Sequence, residues 1–374
     1  MSRIKRNPED YEMIAKRALS WIYYAKRPLY MIELREAISI EPIVDIENGD
    51  EDCADLDPES FTDPQLVLDC CGSLILWERG TDIVGFSHYT VSEFLDTAHG
   101  KAHIEPEVYI ARGCLTYLCF DVFSEGPCDS EDKFWMRVQK YRLASYIARF
   151  CGHHISGSAS EEAVQNLVLS ILWSPSRRQA ICELDENYRD NLPALSRYQF
   201  PFHNLGIHQF RFGWKPLHFL AAWNLVTVSE AILSTSPSDV EDLFKLISCK
   251  WRCRSSVMRS SITSSPNDLR LDPIECLVTP LQIASIFGNV EVARVLLSKG
   301  AGVDISFGSL VDLPLISAAS KGYEGMVKLL LEKGAEVNAQ GGTYGNALQA
   351  AAFRGHEEIV ALLQNWITLT SFHP

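Results

Sequence analysis

The stretch TPLQIASIFGNVEVARVLLSKGAGVD, residues 279–304, reads as a helix, a reversal, a second helix and a Gly-Ala turn. Two short helices carry an apolar stripe but enclose no core, so such a segment needs neighbours of its own kind. The chain supplies them. Thr279-Pro280-Leu281 recurs as Leu313-Pro314-Leu315 and as Asn346-Ala347-Leu348. Gly288 recurs as Gly322 and Gly355, at spacings of 34 and 33. Leu296-Leu297 before Lys299-Gly300-Ala301 is matched by Leu330-Leu331 before Lys333-Gly334-Ala335.

Each recurring residue has a physical reason. Pro280 suits the first turn of a helix, where its missing N–H would find no partner. Gly288, Gly322 and Gly355 fall where a left-handed residue ends the inner helix. Val292, Val295 and Leu296 give the outer helix one apolar stripe. A period near 33, a T-P-L opening, a mid-repeat Gly and a closing Gly-Ala resemble the ankyrin-repeat family from about Gly213 onward, with the match carried by 277–363. A weaker copy opens at Lys215-Pro216-Leu217-His218 and has Asn224 in place of Gly, the next best left-handed residue. Pro216 and Pro280 lie 64 residues apart, close to two periods, yet about 235–275 holds no second copy. That stretch, rich in Ser, Pro and basic residues, is either a degenerate repeat with a long loop or a helix followed by an insertion.

The region before the repeats has a different pattern. Residues 9–27 place Ile14, Leu19, Ile22 and Tyr23 on one helical face, with Pro28 as the stop. Ile32, Leu34 and Ile38 mark a second helix after Tyr30, and Pro64 to Cys71 a third. Leu74–Trp77 and Ile83–Ser87 read as two strands across a turn containing Gly80, followed by a short helix at Val91–Leu95. Three helices and a hairpin form a winged-helix layout. ALSWIYYAKRPLYMIELREAISIE, VLDCCGSLILWERGTDIVGFSHYTVSEFL and YRLASYIARFCGHHISG resemble the winged-helix segment and helical connector of fungal NACHT-type NTPases, over roughly 7–185. His88-Tyr89-Thr90-Val91-Ser92-Glu93-Phe94-Leu95 is the most specific part of that resemblance. It implies a segment that relays nucleotide state and repeats that sense a partner. No G-x-x-x-x-G-K-[ST] occurs in the chain, so the phosphate cradle of that family is missing. The chain then corresponds to the C-terminal portion of such a receptor, as a natural truncation or an incomplete gene model.

Composition bounds the function. The 374 residues are 47% hydrophobic and 22% charged, as in folded globular chains of two or three domains. The charged N-terminus lacks the apolar core of a signal peptide. The longest apolar run, Val67 to Trp77, is broken by Asp69, Gly72 and Ser73 and falls short of a membrane span. A cytoplasmic, membrane-free protein is expected. Eleven cysteines at irregular spacing read as small buried apolar residues rather than disulfide staples. Residues 1–100 hold nine basic and twenty acidic side chains, a balance of −11 out of a total of −14. The acid-packed run EPIVDIENGDEDCADLDPESFTD is a solvated segment that disfavours nucleic acid and argues against a DNA-binding winged helix. Lys250, Arg252, Arg254 and Arg259 reverse the sign locally and read as a solvated basic loop.

No catalytic, cofactor-binding or metal-ligating residue is assigned. Cys249 with Cys253, and Cys151 with His153 and His154, lack a second pair at finger-like spacing. His88 beside Cys70 or Cys71 lacks a third group to orient a nucleophile, and reads as a capping or packing residue. Asp69, Asp82 and Glu93 are carboxylates in an acid-rich region. The candidate binding set is Trp223, Ile286, Phe287, Ser320, Lys321, Phe353 and Arg354, each one or two residues before the mid-repeat Gly or Asn. The ankyrin resemblance places those positions on the concave groove, and aromatic and Arg anchors dominate binding energy. For Ile286 and Phe287 the alternative is packing between repeats.

The sequence thus predicts a mainly α chain. A winged-helix-like domain with a small β-hairpin covers 1–100, and a helical connector covers 101–205. An ankyrin-repeat solenoid covers 206–374, with a degenerate first repeat, an insertion at about 235–275 and clear repeats at about 277–304, 311–338 and 344–366. The expected function is a non-enzymatic adaptor binding another protein; the rival is the sensor part of a NACHT-type receptor whose nucleotide module lies outside this chain. Because the phosphate cradle is missing, calorimetry of the purified chain with ATP or GTP is expected to give no saturable micromolar binding. Saturable heat would restore the NTPase reading.

Overall fold

The computed structural model describes residues 8–43, 56–57, 61–190, 216–234, 279–305, 312–342 and 344–371. The chain divides into two compact units, Met1–Tyr188 and Arg189–Pro374, and is mainly helical. No helix among the described residues is long and apolar enough to cross a membrane. The insertion expected at about 235–275, with Cys249, Cys253 and its four basic residues, lies outside the described residues, as does most of the acidic run.

The first unit opens with α1 (Pro8–Tyr24), β1 (Leu29–Tyr30), α2 (Met31–Ile38) and α3 (Pro64–Cys71). α1 stops at Tyr24, ahead of Pro28, whose ring disfavours helical backbone in the preceding residue. The α3 start is set by Asp63, whose carboxylate accepts the N–H groups of Gln65 and Leu66 at 2.8 and 3.3 Å, with Pro64 in the first turn. β2 (Ile75–Glu78) and β3 (Ile83–Phe86) pair antiparallel, Ile75 opposite Phe86 and Glu78 opposite Ile83. Asp82 takes a left-handed φ of 60° in the turn and accepts the Trp77 indole N–H at 2.9 Å. β1 adds a third strand on the other edge of β3. Two residues show no alternation, which is why the pattern of side chains did not reveal it.

Helices α4 (Tyr89–Asp96), α5 (Ala98–Lys101), α6 (Glu107–Cys119), α7 (Asp121–Ser124), α8 (Glu131–Lys140), α9 (Ala144–Ser156), α10 (Glu162–Trp173) and α11 (Pro175–Asp190) complete the unit. α6 is buried on almost every side from Ile110 to Cys119, the mark of a core helix. It packs on α9, α10 and α1, with Trp21 of α1 against Gly113. The seven described cysteines are free thiols, five of them buried. His88 caps α4, its ring nitrogen accepting the Thr90 N–H at 3.3 Å.

One polar contact runs through this core. Glu36 of α2 is buried and accepts the Tyr117 hydroxyl of α6 and the Leu143 N–H ahead of α9, both at 2.7 Å. Burial pushes the Glu36 carboxyl up to about 7, against the two hydrogen bonds that favour its charged form, with Glu33 adding to the rise. Nearby, burial drives the His154 imidazole down to about 3, and its ring meets the Tyr146 hydroxyl at 2.9 Å.

Among the described residues the second unit holds four helical pairs: α12 (Pro216–Trp223) with α13 (Val226–Ser234), α14 (Pro280–Phe287) with α15 (Val290–Ser298), α16 (Pro314–Lys321) with α17 (Glu324–Glu332), and α18 (Ala347–Arg354) with α19 (Glu357–Ser371). Thr279 and Asn346 cap their helices reciprocally with Gln282 and Gln349; Leu313 offers no side-chain cap. The inner helices α12, α14, α16 and α18 pack in a row, and the outer helices α13, α15, α17 and α19 form a second row behind them. The pair α12–α13 therefore stacks directly on α14–α15, although residues 235–278 separate them in sequence. Asn224 has a left-handed φ of 56°, as its place in the repeat requires.

A residue one place after each reversal closes the stack. Asn289 donates its amide N–H groups to the Ala221 and Ala222 carbonyls at 2.7 and 3.1 Å, tying α14–α15 to the end of α12. The Tyr323 ring lies over Gly288 and the His356 ring over Gly322, so near that a β-carbon would stand 2.9 and 2.8 Å from them. These glycines, at φ of 72° and 81°, are needed twice, for backbone hand and for space. Gly355, at 77°, has nothing within 4 Å.

The Gly355→Ala substitution should therefore cost roughly 1–2 kcal/mol of stability for the left-handed backbone alone. Gly288→Ala and Gly322→Ala should each cost about 1–3 kcal/mol more, measured by urea unfolding, because a packed ring must move. Equal losses at all three would show that the rings yield freely. In the first unit, Glu36 contributes stability that is present in full below about pH 4.5 and lost as pH rises through about 7. The fall, on the order of 3 kcal/mol, should disappear in Glu36→Gln. A wild-type stability profile flat from pH 5 to 8 overturns that assignment.

Candidate protein-binding surface

The candidate residues occupy the last two positions of the inner helices: Trp223 on α12, Ile286 and Phe287 on α14, Ser320 and Lys321 on α16, Phe353 and Arg354 on α18. Consecutive helical residues point about 100° apart, and the two positions separate accordingly. At the penultimate position Ile286 is 4% exposed and Ser320 7%, whereas Phe353 is 76% exposed. The next inner helix covers the first two, while Phe353 has no inner helix beyond it among the described residues. Ile286 and Ser320 are thus corrected from surface to interior residues. The Ser320 hydroxyl donates to the Ser317 carbonyl at 2.9 Å, and its own carbonyl meets the His356 ring at 3.2 Å.

The final position faces outward. Trp223, Phe287 and Lys321 are half-buried and Arg354 is exposed. Trp223 meets the Phe219 ring edge-on, centroids 5.4 Å apart. Tyr344, in the turn before α18, was not among the candidates, yet it organises the C-terminal end of the row. Its hydroxyl accepts Nε and Nη2 of Arg354 at 3.0 and 2.6 Å, its ring lies 5.5 Å below that guanidinium, and it tilts against Phe353 at 5.6 Å. Its signal in the sequence is an aromatic residue between Gly342 and Gly345, where a turn presents a side chain with little of its own backbone around it. Burial pulls the Lys321 ammonium down to about 8; Arg354 adds to that, while Asp312 opposes it.

Elsewhere the flagged residues have local duties. Asp69 accepts the Gln65 amide at 2.9 Å, His88 caps a helix, and Cys151 is buried next to Cys114. Among the described residues no three His, Cys, Asp or Glu side chains converge on a point that could hold a metal ion.

The family profile of ankyrin repeats (3 copies) matches residues 255–341 and 310–368. Over 60 residues, 16% of this chain and 26% of the other, the sequence is 47% identical to an ankyrin repeat protein of Rickettsia felis. Over 119 residues, 31% of this chain and 26% of the other, it is 35% identical to the B-cell lymphoma 3 protein homolog of Mus musculus. Over 87 residues, 23% of this chain, it is 39% identical to 3% of an ankyrin repeat and KH domain-containing protein of Caenorhabditis briggsae. The chain spans at most 26% of the length of these curated relatives. With four stacked helical pairs, left-handed reversals and these matches, the C-terminal part of the chain carries ankyrin repeats.

Proposed function

We propose that this chain is a non-enzymatic, cytoplasmic adaptor that binds another protein along the concave row of inner-helix ends. The observation that carries the reading is the sorting of that row. Position by position, the interior residues are apolar or small, while Trp223, Phe287, Lys321, Phe353 and Arg354 keep partly or fully open surface. Aromatic and Arg side chains give the most binding energy per contact, and two aromatic rings and two cations along the helix ends, with Phe353 open beside Arg354, exceed what solubility requires. The acidic balance of residues 1–100 speaks for a protein partner over nucleic acid. The order of α1, α2, α3 and the small sheet supports reading the first unit as winged-helix-like, akin to the region before the repeats in NACHT-type receptors. On that account the adaptor derives from an NLR-like receptor, or serves as the sensor part of one whose nucleotide module lies outside this chain.

Phe287→Ala and Phe353→Ala should each weaken affinity for a partner recovered by pull-down by about 1–3 kcal/mol. Phe353→Ala should leave the melting temperature nearly unchanged. Leu296→Ala and Leu330→Ala, at fully buried positions of the outer helices, should instead cost roughly 2–5 kcal/mol of folding stability. If the two phenylalanine variants unfold the array as badly as the leucine variants, or bind the partner as tightly as the wild type, the row is not a docking surface.

A further inference from the structure

The C-terminal end of the row has a chemistry of its own. Arg354 is pre-set: two of its nitrogens donate to the Tyr344 hydroxyl and its guanidinium carbon lies 5.5 Å from the Tyr344 ring centre, so little side-chain freedom is left to lose on binding. That arrangement occupies Nε and Nη2 and leaves the Nη1 edge. Other arginines are matched to carboxylates: Arg17 to Glu41 at 2.8 Å, Arg27 to Glu33 at 2.6 Å and Arg137 to Glu183 at 3.4 Å. Arg354 has no ion-pair partner among the described residues, in a chain of net charge −14 where acids outnumber bases. On the preceding repeat, Lys321 ends α16 at the position that Arg354 holds on α18, and the packing of these two inner helices sets the two cations at neighbouring helix ends. Phe353 leans one face toward Tyr344 and leaves most of its surface open.

Building on the adaptor reading, we infer that this end of the row recognises an acidic peptide segment of the partner, one carboxylate held between Lys321 and Arg354 and a neighbouring apolar side chain laid on Phe353. The shape of the site accounts for each part. With one guanidinium edge already used, Arg354 offers a single remaining edge to one carboxylate oxygen and Lys321 supplies a point charge to the other. The open phenyl face supplies the apolar contact that turns charge attraction into a defined register.

The test is a display library of random peptides selected against the full chain, with resynthesised binders measured by fluorescence anisotropy. Enriched peptides should carry Asp or Glu within two residues of an aromatic or aliphatic residue. Arg354→Gln and Lys321→Met should each weaken them by roughly tenfold or more, and Glu→Gln in the peptide should do the same. Arg354 is exposed, so circular dichroism of Arg354→Gln should match the wild type and exclude unfolding as the cause. Peptides without acid, insensitive to Arg354→Gln but weakened by Phe287→Ala, overturn the acidic-segment inference and leave the adaptor reading standing. Binding that no substitution in the row affects overturns both. If a phosphoserine in place of the peptide's Glu binds roughly tenfold tighter, the site is a phosphate site and the carboxylate assignment falls.

Discussion

Everything in the second unit depends on how an inner helix ends. A left-handed residue turns the chain back at once, and the side chain just after the next reversal then reaches over to seal that turn. Asn289 does it with an amide on two carbonyls, Tyr323 and His356 with rings laid on glycine. A bulkier residue at the turn would push the neighbouring repeat away, and without contact between repeats each pair of helices would have only a stripe to bury. The row of candidate binding residues exists because these closures hold the helix ends in line.

The first unit depends on a different constraint. Its core helix α6 is surrounded by apolar side chains, yet it meets α2 through a carboxylate with two donors, Tyr117 and Leu143. A buried hydrogen-bonded acid demands particular partners in particular places, which a purely apolar contact does not. The price is sensitivity to pH, since the site favours the protonated acid well into the neutral range.

Much of this architecture was legible in the sequence. The period of 33 to 34 identified the stacked pairs, and the Asn224 substitution foretold a left-handed turn in the weakest copy. Where reading failed, the reason was geometric. Ile286 and Phe287 are adjacent in sequence, and only the position of the next helix decides which of them is covered. Phe353 shares its repeat position with Ile286 and Ser320, but the repeat that would bury it has no counterpart among the described residues. Tyr344 lies in a turn that varies between copies, so alignment of the repeats gave it no weight. Glu36 and Tyr117 are 81 residues apart, and no local pattern joins them.

Phe353 also bears on how the solenoid breathes. In an array held by nearest neighbours, α14 and α16 are flanked on both sides, whereas α18 and α19 have a described neighbour on one side only. Local opening of α18 and α19 would take Phe353 and Arg354 out of line. A ligand that grips Phe353 and Arg354 binds only the closed form of that repeat, so occupancy and order there rise together. The repeat that carries them thereby becomes a segment whose order a partner can complete.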